Sequence, residues 1–340
     1  MRYYVDISPD MTEEIDRQVR SGKYRSLQDF ITTAVRNQLY LESREDPQAV
    51  LGIQKPSVTD SQSPAVSITG AIQLLQLPNP NEVKTIAVTD LERDQYLWGQ
   101  YNRIFPTKIV TRVMANLARI NATDTIPLED LQEKSAEIAR NLGKEIERAD
   151  ERLGRKRGEI ISAALPIGKC PGADKAKLRF KNQFVGYLSG KKVEGASATL
   201  KFIDFSGNTK NSTRVGITDF GLEFASLSNP VIDRQDYSAP FSSEEVTFLL
   251  DHIASHLPEE VRLVRLILSS VKGGVASPEG LNEKVRSSHP EWKKSQPITM
   301  RAGVVSRISE LGLLDREKEG VKVIYKLTEL GEKYLTRLEA

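Results

Sequence analysis

Arg2-Tyr3-Tyr4-Val5-Asp6-Ile7-Ser8-Pro9 is the stretch that decides how the amino-terminal region is read. Tyr3, Val5 and Ile7 fall on one face and Arg2, Tyr4 and Asp6 on the other, the period of two of a short half-buried strand. Ser8-Pro9 is a helix entry, a capping hydroxyl followed by proline at the first helical position. Met11, Ile15 and Val19 then recur every four residues, and Gly22 stops the helix. Ser26 opens a second helix, with Asp29 three residues on as a weaker capping box. Leu27, Phe30, Ile31, Ala34, Val35 and Leu39 make its broad apolar stripe.

One strand and two helices of this length cannot enclose a core. Below about 40 residues a fold usually needs disulfides, metal or a partner chain. The single cysteine, Cys170, is remote in sequence, so a second copy of the chain is the expected partner. Two such strands paired antiparallel form a ribbon that fits the major groove of B-DNA. In its alternating start, its Ser8-Pro9 entry and its Gly22-Lys23-Tyr24-Arg25-Ser26 turn, residues 1–42 resemble the ribbon-helix-helix proteins of the MetJ/Arc/CopG type. The resemblance implies a homodimer in which Arg2, Tyr4 and Asp6 meet base edges and Lys23, Arg25 and Ser26 grip the backbone of double-stranded DNA. Asp6 departs from the basic or amide residue usual there. It accepts from a cytosine amino group or marks another use of the ribbon. A dimerisation module without a DNA role is the plainer alternative.

Hydrophobic residues make up 39% and charged residues 28%, the composition of an ordinary folded protein rather than a disordered one. One cysteine rules out a disulfide framework and suits a reducing cytoplasm, where the protein is expected. The sequence shows no signal-peptide pattern and no uncharged apolar run of about 18 residues, so no membrane partner is expected. The net charge of +2 conceals an uneven distribution. From Arg152 to Lys192 eleven Lys and Arg face only Glu159 and Asp174, which gives +9 and leaves −7 for the remainder. A cationic block of this kind is the footprint of a nucleic-acid site.

The chain reads as mainly α with small β elements, an α+β class. Residues 43–88, rich in Glu, Asp, Gln, Ser and Pro, are expected to be a linker, flexible in its first half. Ile109, Val110, Val113, Met114 and Leu117 mark a helix from Pro106. A second runs from Pro127 to about Leu153, with a stripe suited to a helical hairpin, a dimer seam or one protomer's core. Ala198–Phe205 and Thr213–Ile217 read as strands around a polar tip. Ser242-Ser243-Glu244-Glu245 is a capping box, Val261 to Val271 a helix, and Ser277-Pro278 the start of another. Thr299 is expected to cap a helix that Gly312 ends, before a hairpin with its tip at Glu319-Gly320.

Two stretches repeat: Ile217-Thr-x-x-Gly221-x-x-Phe224 and Leu327-Thr-x-x-Gly331-x-x-Tyr334. Each follows a polar-tipped hairpin, itself preceded by a basic helix, as in an internal duplication. Each resembles the winged-helix domains of prokaryotic regulators, where a threonine caps the helix after the wing. The expected organisation is a ribbon-helix-helix at 1–42, one winged-helix-like domain at 89–233 and a second at 240–340. The long helix and the insertion at residues 168–174 depart from the pattern in the first. The resemblance sends the helix before the hairpin into the major groove and the wing to phosphate. In the first copy these are Lys175, Lys177, Arg179 and Lys181, with Leu178, Val185 and Leu188 packing behind, and Lys210 and Arg214 on the wing. In the second they are Arg301 and Arg307, with Lys318 and Lys322 on the wing, offset by Glu310, Glu317 and Glu319; a protein-binding or dimerising module is the alternative there.

Enzyme constellations do not stand out. The sequence has neither GxxxxGK[ST] nor GxGxxG. His252 and His256 share one helix face, but HExxH is incomplete and no cysteine is close, so surface histidines are expected, with no metal and no cofactor. Cys170, beside Lys169, reads as a bystander thiol. The expected function is a dimeric, sequence-specific DNA-binding transcriptional regulator, prokaryotic or archaeal. An antitoxin-like or assembly subunit with a protein partner for its carboxyl end, and a DNA-coating or partition protein, remain open.

Overall fold

The computed structural model describes Asp16, Arg20 and residues 73–340, apart from 92–95, 157, 169–171, 210–211, 294, 320–321 and 340. The chain divides into two compact units, Met1–Pro64 and Ala65–Ala340. Asp16 and Arg20 are helical. The expected ribbon, with Arg2, Tyr4, Asp6, Lys23, Arg25 and Ser26, lies outside the described residues, as do Cys170 and Lys210. The second unit is mainly helical, with small antiparallel sheets.

Helix α1 (Phe105–Ile120) is the centre of this unit, buried on nearly every face. Ile109, Val110, Val113 and Met114 are wholly enclosed; burial of such side chains contributes roughly 1.5–3 kcal/mol each. Strand β1 (Thr125–Pro127) leads into α2 (Leu128–Arg152), which packs on α1. Its apolar stripe is thus spent inside one protomer. The chain continues through α3 (Ala173–Phe180), a wide helical turn at Lys181–Val185, the hairpin β2 (Tyr187–Ser189) and β3 (Lys192–Glu194), and the short α4 (Ala196–Thr199). Strands β4 (Ile203–Asn208) and β5 (Thr213–Ile217) follow, in a sheet of order β1-β5-β4. Helix α5 (Asp219–Ser226) closes this half, and α6 (Pro230–Arg234) leads on.

In the carboxyl half, α7 (Ser243–His256) starts at the expected capping box, complete in both directions between Ser242 and Glu245. Then come α8 (Pro258–Lys272), α9 (Pro278–Ser288), α10 (Gln296–Glu310), the hairpin β6 (Leu314–Glu319) and β7 (Lys322–Leu327), and α11 (Glu329–Glu339). Tyr325 of β7 donates its amide to the carbonyl of Ala276, between α8 and α9. Ala276 therefore flanks β7 much as β1 flanks β5. Both halves share one order: helix, edge segment, helix, helix, hairpin, capped helix.

The repeated motif is equivalent at the level of hydrogen bonds. Thr218 and Thr328 cap α5 and α11, accepting from the amides of Gly221 and Gly331. The amides of the two threonines donate to Phe202 and Leu313. A Cβ at Gly221 would lie 2.0 Å from the Phe202 carbonyl oxygen, and one at Gly331 2.1 Å from that of Leu313, so neither position admits a side chain. Gly312 enters its hairpin with φ +75°, and Lys201 stands at the matching point with φ +59°. That left-handed residue delays the strand expected over Ala198–Phe205. Residues 196–199 form the short helix α4 instead, and β4 starts at Ile203.

Charged groups buried between the halves bind them together. On α1, Lys108 is sealed against Glu245 of α7 at 2.8 Å and donates to the carbonyls of Phe224 and Leu227. One turn on, Arg112 forms a two-pronged pair with Asp233 and donates to the carbonyls of Leu75 and Leu227. Glu310, at the end of α10, accepts from the amides of Ile104 and Phe105 and so caps α1. Residues 74–86, expected as linker, belong to the body. Leu74 and Val83 are buried, Asn116 donates to the carbonyls of Leu74 and Gln76, and Ile86 bridges to Thr218.

Candidate nucleic-acid interface

The basic window separates into cations that serve the fold and cations that face outward. Lys177 and Lys181 both turn to Glu133 of α2, the former at 2.6 Å. Desolvation holds the Lys181 ammonium below its usual range. Arg155 is spent on Asp150 and the Tyr237 carbonyl. Lys175 and Arg179 stand exposed on the opposite face of α3 and pair with no carboxylate among the described residues. Arg152, Lys156 and Lys191 are exposed as well.

The helix is rotated from its expected setting. Leu178, expected to pack inward, is 58% exposed between Lys175 and Arg179. Four cations spaced i, i+2, i+4 and i+6 cannot share one face of a 3.6-residue helix, and Glu133 selects Lys177 and Lys181. Val185 is buried as expected, whereas Leu188 and Tyr187 stay half-exposed on the β2–β3 hairpin. The wide turn at Lys181–Val185 and this hairpin separate α3 from β4, so the helix does not run directly into its hairpin.

On β5, Arg214 donates to the hydroxyl and carbonyl of Thr125 on β1, holding the sheet edge. That commits two of its donors internally, against its expected role on the wing.

The carboxyl half corrects the sequence reading more sharply. Arg307, expected on the groove side of its helix, is 1% exposed. Its Nε and Nη2 both donate to Glu260 of α8, at 3.0 and 2.6 Å, while Nη2 also reaches the Leu97 carbonyl and Nη1 those of Trp98 and Tyr101. No donor is left for DNA, because the position falls on the face that packs against residues 97–101. Arg301 is half-buried and bonded to Asn282 at 2.9 Å. The outward residues of α10 are Ile298, Thr299 and Ala302. Thr299 lies inside the helix, which starts at Gln296, and does not cap it as expected. Lys318 and Lys322 on the hairpin are exposed.

The histidines also differ from expectation. His252 is 5% exposed, packed against Phe202, Phe220 and Phe248, with Nε2 2.7 Å from the Leu200 carbonyl oxygen. An apolar neighbour on each side was not legible without knowing that α5 and α7 meet. Among the described residues no group of three or more His, Cys, Asp or Glu is placed to hold a metal, and no helix is long and apolar enough to cross a membrane. No protein-family model, curated protein or solved structure matches this chain.

Proposed function

We propose that the chain is a sequence-specific DNA-binding protein, a cytoplasmic transcriptional regulator of prokaryotic or archaeal type. In this reading residues 1–42 form a ribbon-helix-helix that joins two copies, and residues 89–233 and 240–340 are winged helices fused into one body. The observation that carries it is the outward face of α3. Lys175 and Arg179 stand there without counter-ions among the described residues, in a helix that precedes a three-stranded sheet of order β1-β5-β4. Unpaired surface cations on a helix with a nearby hairpin suit phosphate contact. The equivalent hydrogen bonds of Thr218 and Thr328 support the duplication.

Selection of binding sites from random duplex DNA with the full chain, at two salt concentrations, tests the proposal. A short enriched symmetric site, lost on deletion of residues 1–42, is the expected result. Retention without any enriched sequence, weakening steeply with salt, would instead establish a DNA-coating protein.

One observation favours a protein partner for the carboxyl half. Arg307 is buried and Arg301 engaged, so the outer face of α10 offers apolar and neutral groups. If Lys318→Glu/Lys322→Glu leaves DNA affinity intact while Lys175→Glu/Arg179→Glu abolishes it, only the first winged helix works on DNA.

A further inference from the structure

Helices α5 and α7 diverge around a groove of about 570 Å³, within the size of a small-molecule site. Its aromatic side is formed by Phe220, Phe248 and His256, with Phe220 and His256 ring centroids 4.5 Å apart. Its acidic groups are Glu223 from α5 and Glu244 and Asp251 from α7. Asp251 is matched by Arg337 at 2.5 Å, whereas Glu223 and Glu244 have no ion-pair partner among the described residues. Among the described residues no Lys or Arg lines the groove. Lys201, whose charge acts on His256 of the groove, is itself 1% exposed.

A second, independent feature points to a ligand. His252 lines the groove although nineteen-twentieths of its surface is buried, being 5% exposed. Its Nε2 meets a carbonyl oxygen, that of Leu200, and so must be the donor. The neutral ring then has its acceptor at Nδ1, for which no donor is found among the described residues. Burial pushes this imidazole down to about 4, so it stays neutral at physiological pH and presents that lone pair rather than a charge. An acceptor on a residue of the groove wall suits a ligand with N–H to give.

The spacing narrows the class. Glu244 and His252 lie on one face of α7, about 12 Å apart along its axis at 1.5 Å per residue. A single ammonium group cannot serve both. A quaternary ammonium would enjoy the aromatic rings but has no N–H for Nδ1. We propose that the groove binds an elongated aliphatic polyamine, its ammonium groups on Glu223 and Glu244, its methylenes along Phe220 and Phe248, and one N–H donated to His252 Nδ1. The site is independent of the DNA-binding reading, and its test contains no DNA.

The experiment is isothermal titration calorimetry of the full chain with spermidine at fixed ionic strength. Saturable binding is expected, weakened at least tenfold in Glu223→Gln/Glu244→Gln. Both carboxylates are exposed and pair with no cation among the described residues, so that variant keeps its fold, which circular dichroism checks. Tetramethylammonium should give no saturable heat. The proposal is overturned if spermidine does not bind, if the double variant binds it as tightly as the wild type, or if tetramethylammonium binds equally well. Binding of a lysine-rich peptide without binding of spermidine overturns it too, and makes the groove a protein-docking site.

Discussion

Thr218 and Thr328 make the same set of hydrogen bonds in the two halves of the body. Each hydroxyl accepts from the amide of a glycine three residues on, at 3.1 and 3.0 Å, and donates to the carbonyl just before its hairpin, that of Lys201 or Gly312. One side chain thus caps a helix and locks the base of a wing. Replacing such a cap by alanine typically costs about 1 kcal/mol, and the lost second bond adds to it. Thr328→Ala and Thr218→Ala should each lower the melting temperature by several degrees, the second more because Thr218 is fully buried. Unchanged melting curves would remove the cap from the account.

The junction of the halves predicts a pattern rather than a single number. In Arg307→Met, Glu260 is left buried opposite an apolar side chain, which costs about 3–5 kcal/mol. Arg307→Met/Glu260→Leu removes both charges and should recover part of that loss, the carbonyls of residues 97–101 and the Leu97 amide then lacking their partners. Guanidinium unfolding midpoints measure it, and a double variant no better than the single would show that the pair is not coupled.

Acid should destabilise the body through His252. Burial holds its imidazole at about 4, against 6.5 for an ordinary histidine. Between those values the unfolded chain takes up a proton that the native state refuses. Stability is therefore complete above pH 6.5 and falls as pH drops toward 4, by roughly 3 kcal/mol from this group. His252→Gln does not titrate and can still donate to the Leu200 carbonyl, so its stability should fall less over the same range. Parallel pH profiles for the two proteins would contradict this.

On DNA, the sorting of cations has a direct readout. Lys175→Ala/Arg179→Ala should reduce the slope of log affinity against log salt by about 2, as two phosphate contacts are lost. Lys177→Ala/Lys181→Ala should change the slope less, because both ammonium groups already face Glu133. Equal effects from the two pairs would mean that α3 approaches DNA in another orientation.

Legibility in the sequence followed local physics. The capping box at Ser242, the stripe of α2, the hairpin of residues 314–327 and the two Thr-x-x-Gly motifs rest on contacts within a few residues, and the structure has them where the pattern puts them. Errors arose where a distant group decided. Lys201 takes a left-handed conformation that favours glycine, so nothing marked it as the hairpin entry. Residues 74–86 look like linker by composition, yet Arg112 and Asn116 on α1 supply donors for their carbonyls.

The sequence by itself determined α1, α2, the main helices of the carboxyl half, the hairpin after α10, the duplicated cap and the position of the cationic block, because periodicity, capping and charge count are properties of neighbouring residues. Only the tertiary structure decided which charges are free. Lysine and arginine look alike along a chain, but an ion's energy depends on what it meets after folding. Glu133, Glu245 and Glu260 draw Lys177 and Lys181, Lys108, and Arg307 into the body, leaving Lys175 and Arg179 outward. The same packing opened the groove beside His252, whose walls come from helices that are separate in sequence and meet only in the fold.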